Sequence, residues 1–124
     1  MFDHLSVGVR DLAAARRFYD AFLAPLGSTN TFEAEAELAY GPGGLRQFYL
    51  YPVSGGQVAG LGTHIAFRAD SRSAVDQAYA AALALGATAI RVAGPHPDIA
   101  PDYYGAVLLD PDGNKLEIVA DTMH

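Results

Sequence analysis

One period of about 60 residues runs through this chain and restricts it to a duplicated architecture. Asp3-His4-Leu5-Ser6-Val7-Gly8-Val9 is echoed by Thr63-His64-Ile65-Ala66-Phe67-Arg68-Ala69. In each copy a histidine opens an alternating apolar stretch, an aspartate follows, and an alanine-rich helical segment runs to Leu-Gly. Tyr79 stands 60 positions after Tyr19 and Gly86 stands 59 after Gly27, so the register is nearly unbroken. Self-similarity at this period implies one module used twice, with equivalent residues paired around a shared site.

Each copy is short. Phe2 to Val9 puts Leu5, Val7 and Val9 on one face and His4, Ser6 and Gly8 on the other, the period of a half-buried strand. Asp11 is placed to cap a helix in which Leu12, Ala15, Phe18, Tyr19, Phe22, Leu23 and Leu26 recur at three- and four-residue spacing up to Gly27. Strands are predicted at Thr29 to Glu33 and Ala36 to Tyr40, a tight turn at Gly41 to Gly44, and a fourth strand at Arg46 to Val53. The glycine-rich Ser54 to Gly62 reads as a linker. In the second copy the prediction is a strand at Thr63 to Ala69, then a helix capped by Asp70 or Ser71. That helix carries Val75, Tyr79, Ala82 and Leu83 inward. Strands follow at Thr88 to Val92, Tyr103 to Leu109 and Lys115 to Ala120, the last two joined by the turn Asp110-Pro111-Asp112-Gly113-Asn114.

The expectation is an α+β chain of two βαβββ modules, residues 1–53 and 63–124, joined by 54–62 within one domain. Its eight strands make an antiparallel-type, partly open barrel-like surface with the helices outside. The helices cover the face of Leu5, Val7, Ile65 and Phe67, leaving His4 and His64 on a concave face suited to a small ligand.

Composition narrows the partners. Of 124 residues, 51% are hydrophobic and 18% charged, and fourteen acids against eight bases give a net charge of −6. With no basic block, nucleic acid is an unsuitable partner and an anionic membrane repels the chain. No run approaches the roughly 20 apolar residues of a membrane span, and no signal-peptide core precedes Asp3, so the expectation is cytoplasmic. Cysteine is absent. Thiolate nucleophiles and thiolate metal sites are therefore excluded, and imidazole and carboxylate remain as ligands.

Three stretches resemble one known family. His4 with Val7-Gly8-Val9-Arg10-Asp11-Leu12, then Phe18-Tyr19 and Leu26-Gly27, is similar to the opening of the glyoxalase/bleomycin-resistance/dioxygenase (vicinal oxygen chelate) superfamily. Thr63 to Phe67 resembles the strand opening its second module, and Leu109 to Ile118 its closing hairpin. The resemblance implies the paired-module (glyoxalase-like) fold, often dimeric. In metal-dependent members it also implies a divalent metal held from the first and last strands of each module. Those positions here are His4, Tyr49, His64 and Glu117. Three match; where glyoxalase I enzymes carry a glutamate, this chain carries Tyr49.

The residues support His4, His64 and Glu117 as ligands independently. The histidines share one phase of duplicated strands, and a mid-strand carboxylate is costly to bury unless paired or metal-bound. Two imidazoles and a carboxylate suit Zn, Ni, Mn or Fe(II). The alternative is that both histidines are core or edge residues inherited by duplication and Glu117 pairs with an arginine. Tyr49, His96 and Tyr104 are candidates for proton handling or orientation, and Ser6, Tyr51, Arg68 and Tyr103 for substrate contact. Asp110 and Asp112 read as turn residues.

The resulting expectation is a metal-dependent enzyme acting on a small oxygen-chelating substrate, by lyase or isomerase, dioxygenase, or thiol-transferase chemistry. Tyr49 counts against ordinary glyoxalase I, and the two-His-one-Glu set looks more like fosfomycin-resistance transferases or extradiol dioxygenases. The alternative is a metal-free binding protein of the bleomycin-resistance type. A homodimer is expected by resemblance, with the site either within one chain or shared between two.

Overall fold

The structure, a computed structural model, describes residues 1–120; the last four residues of the second module lie outside the described residues. The first half runs β1 (Leu5–Val9), α1 (Leu12–Leu23), β2 (Thr29–Ala34), β3 (Glu37–Gly41) and β4 (Phe48–Pro52). The second runs β5 (His64–Arg68), α2 (Arg72–Ala84), β6 (Thr88–Pro95), β7 (Tyr104–Leu109) and β8 (Lys115–Ala120). Both halves are βαβββ, as the repeat requires. Their caps are also equivalent: Asp11 Oδ1 accepts from the Ala14 amide and Ser71 Oγ from the Ala74 amide, each at 3.0 Å. After α1 a 3-10 turn (Ala24–Leu26) ends at Gly27, whose φ of +84° is a left-handed conformation that a side chain disfavours.

The eight strands form two four-stranded sheets, ordered β1-β4-β3-β2 and β5-β8-β7-β6. This corrects the antiparallel expectation in one respect. The first and last strands of each module pair in parallel, β1 with β4 and β5 with β8, while the other pairings are antiparallel. Chain direction explains it. The helix returns the chain so that the second strand runs with the first, and two hairpins reverse it twice, leaving the fourth strand parallel to the first. The parallel pair places the histidine strand of each module beside its closing strand.

Both sheets share one core. Phe18, Tyr19 and Phe22 of α1 and Val75, Ala78 and Ala82 of α2 pack with Val9, Leu50, Leu108, Leu116 and Ile118. Phe67 of β5 meets Phe22 and Phe48 edge-on, with ring centroids 5.6 and 5.2 Å apart. On α2 the buried stripe is Val75, Ala78 and Ala82; Leu83, expected inward, lies one position around the helix and is 39% exposed. β6 extends past its predicted end at Val92 to Pro95, with register shifts between Ala89 and Arg91 and between Arg91 and Gly94. Such bulges suit an edge strand.

A buried polar cluster joins the halves. Asp110, 3% exposed, accepts four hydrogen bonds: from the amides of Asp112 (2.9 Å) and Asn114 (2.8 Å), from Asn114 Nδ2 (2.9 Å), and from the Tyr19 hydroxyl (2.6 Å). Asn114 Nδ2 also donates to the Gly8 carbonyl of β1 at 2.9 Å. The closing turn of module two is thereby tied to the first helix and strand of module one.

Burial, followed by the Asp110 charge, holds the Tyr19 phenol well above its ordinary range. Burial and the Asp20 hydrogen bond do the same for Tyr40, and burial and the Glu117 hydrogen bond for Tyr103. The folded protein therefore keeps protons that the unfolded chain releases near about pH 10, and the native state binds more protons there. Stability is full below that pH and falls as pH rises through it. Urea unfolding followed from about pH 8 to 11.5 is expected to show this decline, with a shallower slope in Tyr19→Phe.

Candidate metal centre

Alternation along the strands sorts each sheet into a helix-packed face and an open one. On β5, Ile65 and Phe67 turn to the core while His64, Ala66 and Arg68 are exposed. On β8, Leu116 and Ile118 are fully buried, and Glu117 points the other way. Ala66 is the register partner of Glu117, so His64 sits diagonally from the carboxylate. Its Nε2 lies 3.3 Å from Glu117 Oε1. The His64 side chain is 47% exposed and the Glu117 side chain 16%. Glu117's second oxygen, Oε2, accepts a 2.7 Å hydrogen bond from the Tyr103 hydroxyl. Among the described residues Glu117 thus has a histidine and a tyrosine at contact distance, and Arg91 interacts with its charge from across the sheet.

Module one carries the equivalent position. Ser6 is the register partner of Tyr49 as Ala66 is of Glu117, so Tyr49 occupies the place that Glu117 holds in module two. His4 lies edge-on to Tyr49 with centroids 5.2 Å apart, and Tyr49 stacks on Tyr51 at 6.0 Å with planes 8° apart. His4 Nδ1 lies 2.6 Å from Asp3 Oδ1. A carboxylate on one ring nitrogen selects the tautomer that leaves Nε2 free to ligate, the usual partner of a metal-bound histidine. Ser6, Tyr49 and Tyr51 therefore share a face with His4.

Within one chain the structure does not bring His4 to the His64–Glu117 pair. Among the described residues no group of three His, Cys, Asp or Glu side chains is close enough to hold a metal. The spacing of the pair, that of an ion pair, is also compatible with two donors on one ion. Ligand bonds of about 2.0 to 2.2 Å place neighbouring N and O donors about 3 Å apart, and the observed spacing is 3.3 Å. Neutral imidazole and carboxylate also suit the divalent ions expected from the sequence.

The other candidates divide. Arg68 closes β5 on the open face, four residues beyond His64. His96 follows β6; its Nε2–H donates to the Val92 carbonyl at 2.8 Å, and its ring packs 5.8 Å from Tyr103. It is therefore a neighbour of Tyr103, one step removed from Glu117. Tyr104 is not brought to the site. It lies on the helix-packed face, where its hydroxyl donates to Asp76 of α2 at 2.7 Å, a bond that also raises its pKa. Adjacent strand residues point to opposite faces, so only one tyrosine of Tyr103-Tyr104 can reach Glu117.

Sequence reasoning passed over Arg91. Its register partner on β7 is Val107, itself the partner of Glu117, so it stands in the same cross-sheet row. Asp98 grips its guanidinium with two contacts, 3.2 and 2.9 Å. A bulged edge strand hides such a residue, because the break in alternation conceals which face it occupies.

A family model for the glyoxalase/bleomycin resistance protein/dioxygenase superfamily matches residues 1–118. No protein of curated function matches the chain in sequence. Among solved structures, a glyoxalase/bleomycin resistance protein from Albidiferax ferrireducens T118 is similar over 97% of this chain and 98% of its own, with 33% identity and a TM-score of 0.83. A family enzyme from Burkholderia phytofirmans PsJN shares 21% identity over 95% of this chain and 96% of its own, with a TM-score of 0.70. The fosfomycin resistance protein FosX from Mesorhizobium loti shares 20% over 97% and 91%, also with a TM-score of 0.70. The last two likenesses concern the fold. Duplicated βαβββ modules, the open faces bearing His4 and His64, and the span of the family match lead to one conclusion: the chain belongs to the glyoxalase/bleomycin resistance protein/dioxygenase superfamily.

Proposed function

We propose that this protein is a divalent-metal-dependent enzyme acting on a small substrate with neighbouring oxygen atoms. His64 and Glu117 of one chain and His4 of a second copy form the ligand set. The observation that carries this reading is the 3.3 Å approach of His64 Nε2 to Glu117 Oε1 on an open face. A metal held there would polarise the substrate oxygens and stabilise negative charge developing on them. Two imidazoles and one carboxylate leave room for substrate oxygens to join the set.

The second copy is invoked because the open face of module one presents His4, Tyr49 and Tyr51, and no third ligand joins His64 and Glu117 among the described residues. Pairing that face with module two of a twofold-related chain would complete two equivalent sites. The Tyr49 hydroxyl, at the position equivalent to Glu117, would donate a proton or hydrogen bond to the substrate. Arg68 would hold an anionic group, and Ser6 and Tyr51 would line the wall. Lyase or isomerase, dioxygenase and thiol-transferase chemistry all fit such a site.

The test is uptake of Zn, Ni, Mn and Fe(II) by purified protein. Assays of the loaded protein with a glutathione hemithioacetal, a catechol and fosfomycin follow. Stoichiometric uptake with turnover of one substrate supports the reading. Failure to bind any of the four metals sinks it. One observation favours a second reading, a metal-free binding protein. The stacked Tyr49–Tyr51 pair offers an aromatic wall with no metal required, and the net charge of −6 favours a cationic ligand.

A further inference from the structure

Tyr103 reaches Glu117 in an unusual way. It precedes β7, is 1% exposed, and its ring lies over the backbone of Gly105, two residues on and on the same face of the strand. A Cβ at Gly105 would collide first with the backbone carbonyl oxygen of Ile118 on β8, and would also stand 2.7 Å from the Tyr103 hydroxyl oxygen and 2.9 Å from the ring carbon bearing it. Glycine at 105 therefore lets both the β8 backbone and the Tyr103 ring come close. The ring's length then carries the hydroxyl across to β8, where it donates to Glu117 Oε2 at 2.7 Å. His96 packs against the ring 5.8 Å away. The two carboxylate oxygens are thus used differently: Oε2 is taken by Tyr103 and Oε1 faces His64.

We infer that Tyr103 is a positioning residue for Glu117, seated by Gly105. Its hydroxyl occupies Oε2 and orients the carboxylate so that Oε1 alone is presented beside His64 for one-oxygen ligation. This deepens the metal reading above and rests on it. It differs from the substrate-contact role that the sequence suggested for Tyr103, because a hydroxyl committed to Glu117 acts through that carboxylate. Supporting partners of a ligating carboxylate are worth about 10- to 100-fold in metal affinity.

The probe is Co(II), titrated into wild type and Tyr103→Phe and followed by visible absorption. The expected result is a 10- to 100-fold weaker Co(II) affinity in Tyr103→Phe, with a changed spectrum as the second oxygen is freed to bind. A purely packing role for Tyr103 would leave the spectrum of the bound ion unchanged. Crystal structures of metal-free wild type and Tyr103→Phe give a readout without metal: Glu117 should leave its orientation in the variant. A wild type that takes up no Co(II) overturns the metal reading and this proposal together. A variant matching a Co(II)-binding wild type in affinity and spectrum, or keeping Glu117 in place, overturns this proposal alone.

Discussion

Replacing His64 with alanine is expected to lower metal affinity by more than about 100-fold, beyond what loss of a supporting hydrogen-bond partner costs. The change removes the nitrogen that stands 3.3 Å from Glu117 Oε1. A carboxylate without its partner imidazole is an open, weak site for a divalent ion. Folding should be little affected, since the imidazole is half exposed and contributes to an open face rather than to the core. Calorimetric titration with Zn or Ni, beside an unfolding curve, separates the two effects. Unchanged affinity in a folded variant would remove His64 from the ligand set.

The largest expected effect on stability lies elsewhere, at Asp110. Its carboxylate accepts four hydrogen bonds in a site 3% exposed. Alanine there would leave the Tyr19 hydroxyl and the Asp112 and Asn114 amides without their acceptor. Unpaired buried donors cost about 1–3 kcal/mol each, so Asp110→Ala is expected to cost about 3–5 kcal/mol after relaxation. For a chain of this size that lowers the midpoint by roughly 10 °C or more. Tyr19→Phe removes one bond to a charged acceptor and is expected to cost about 1.5–3 kcal/mol. Thermal unfolding of both variants checks the order, and equal losses would contradict the account of Asp110 as the hub.

The fold was legible because its signals are local and duplicated. Period-two strands at His4 and His64, helices with caps at Asp11 and Ser71, and the Asp110–Asn114 turn each leave a sequence mark, and the second copy repeats the first two. Strand direction was not legible, because alternation reads the same in parallel and antiparallel pairs. The geometry of the candidate site was legible in part. His64 and Glu117 meet, and the register makes Tyr49 the counterpart of Glu117, as the carried-over motif implied. Long-range pairings leave no such mark. Tyr19 with Asp110, Asn114 with Gly8 and Tyr103 with Glu117 depend on how side chains reach across the fold, and neither partner betrays the other in sequence. The choice between Tyr103 and Tyr104 needed strand phase at a residue just outside the strand, and Gly105 shows its purpose only once the Ile118 carbonyl and the ring are seen closing on it.

The claim that His4 of one chain completes the site of another is open to a direct measurement. His4→Ala and His64→Ala chains are each expected to lose stoichiometric metal. Unfolding the two together and refolding them as an equimolar mixture forms heterodimers in which one of two sites regains His4, His64 and Glu117. Random pairing restores about one quarter of the wild-type sites, read by elemental analysis after removal of loosely held ion. Recovery near that fraction is the predicted result. No recovery, from chains that refold and dimerise and beside a wild type that binds metal stoichiometrically, would contradict it.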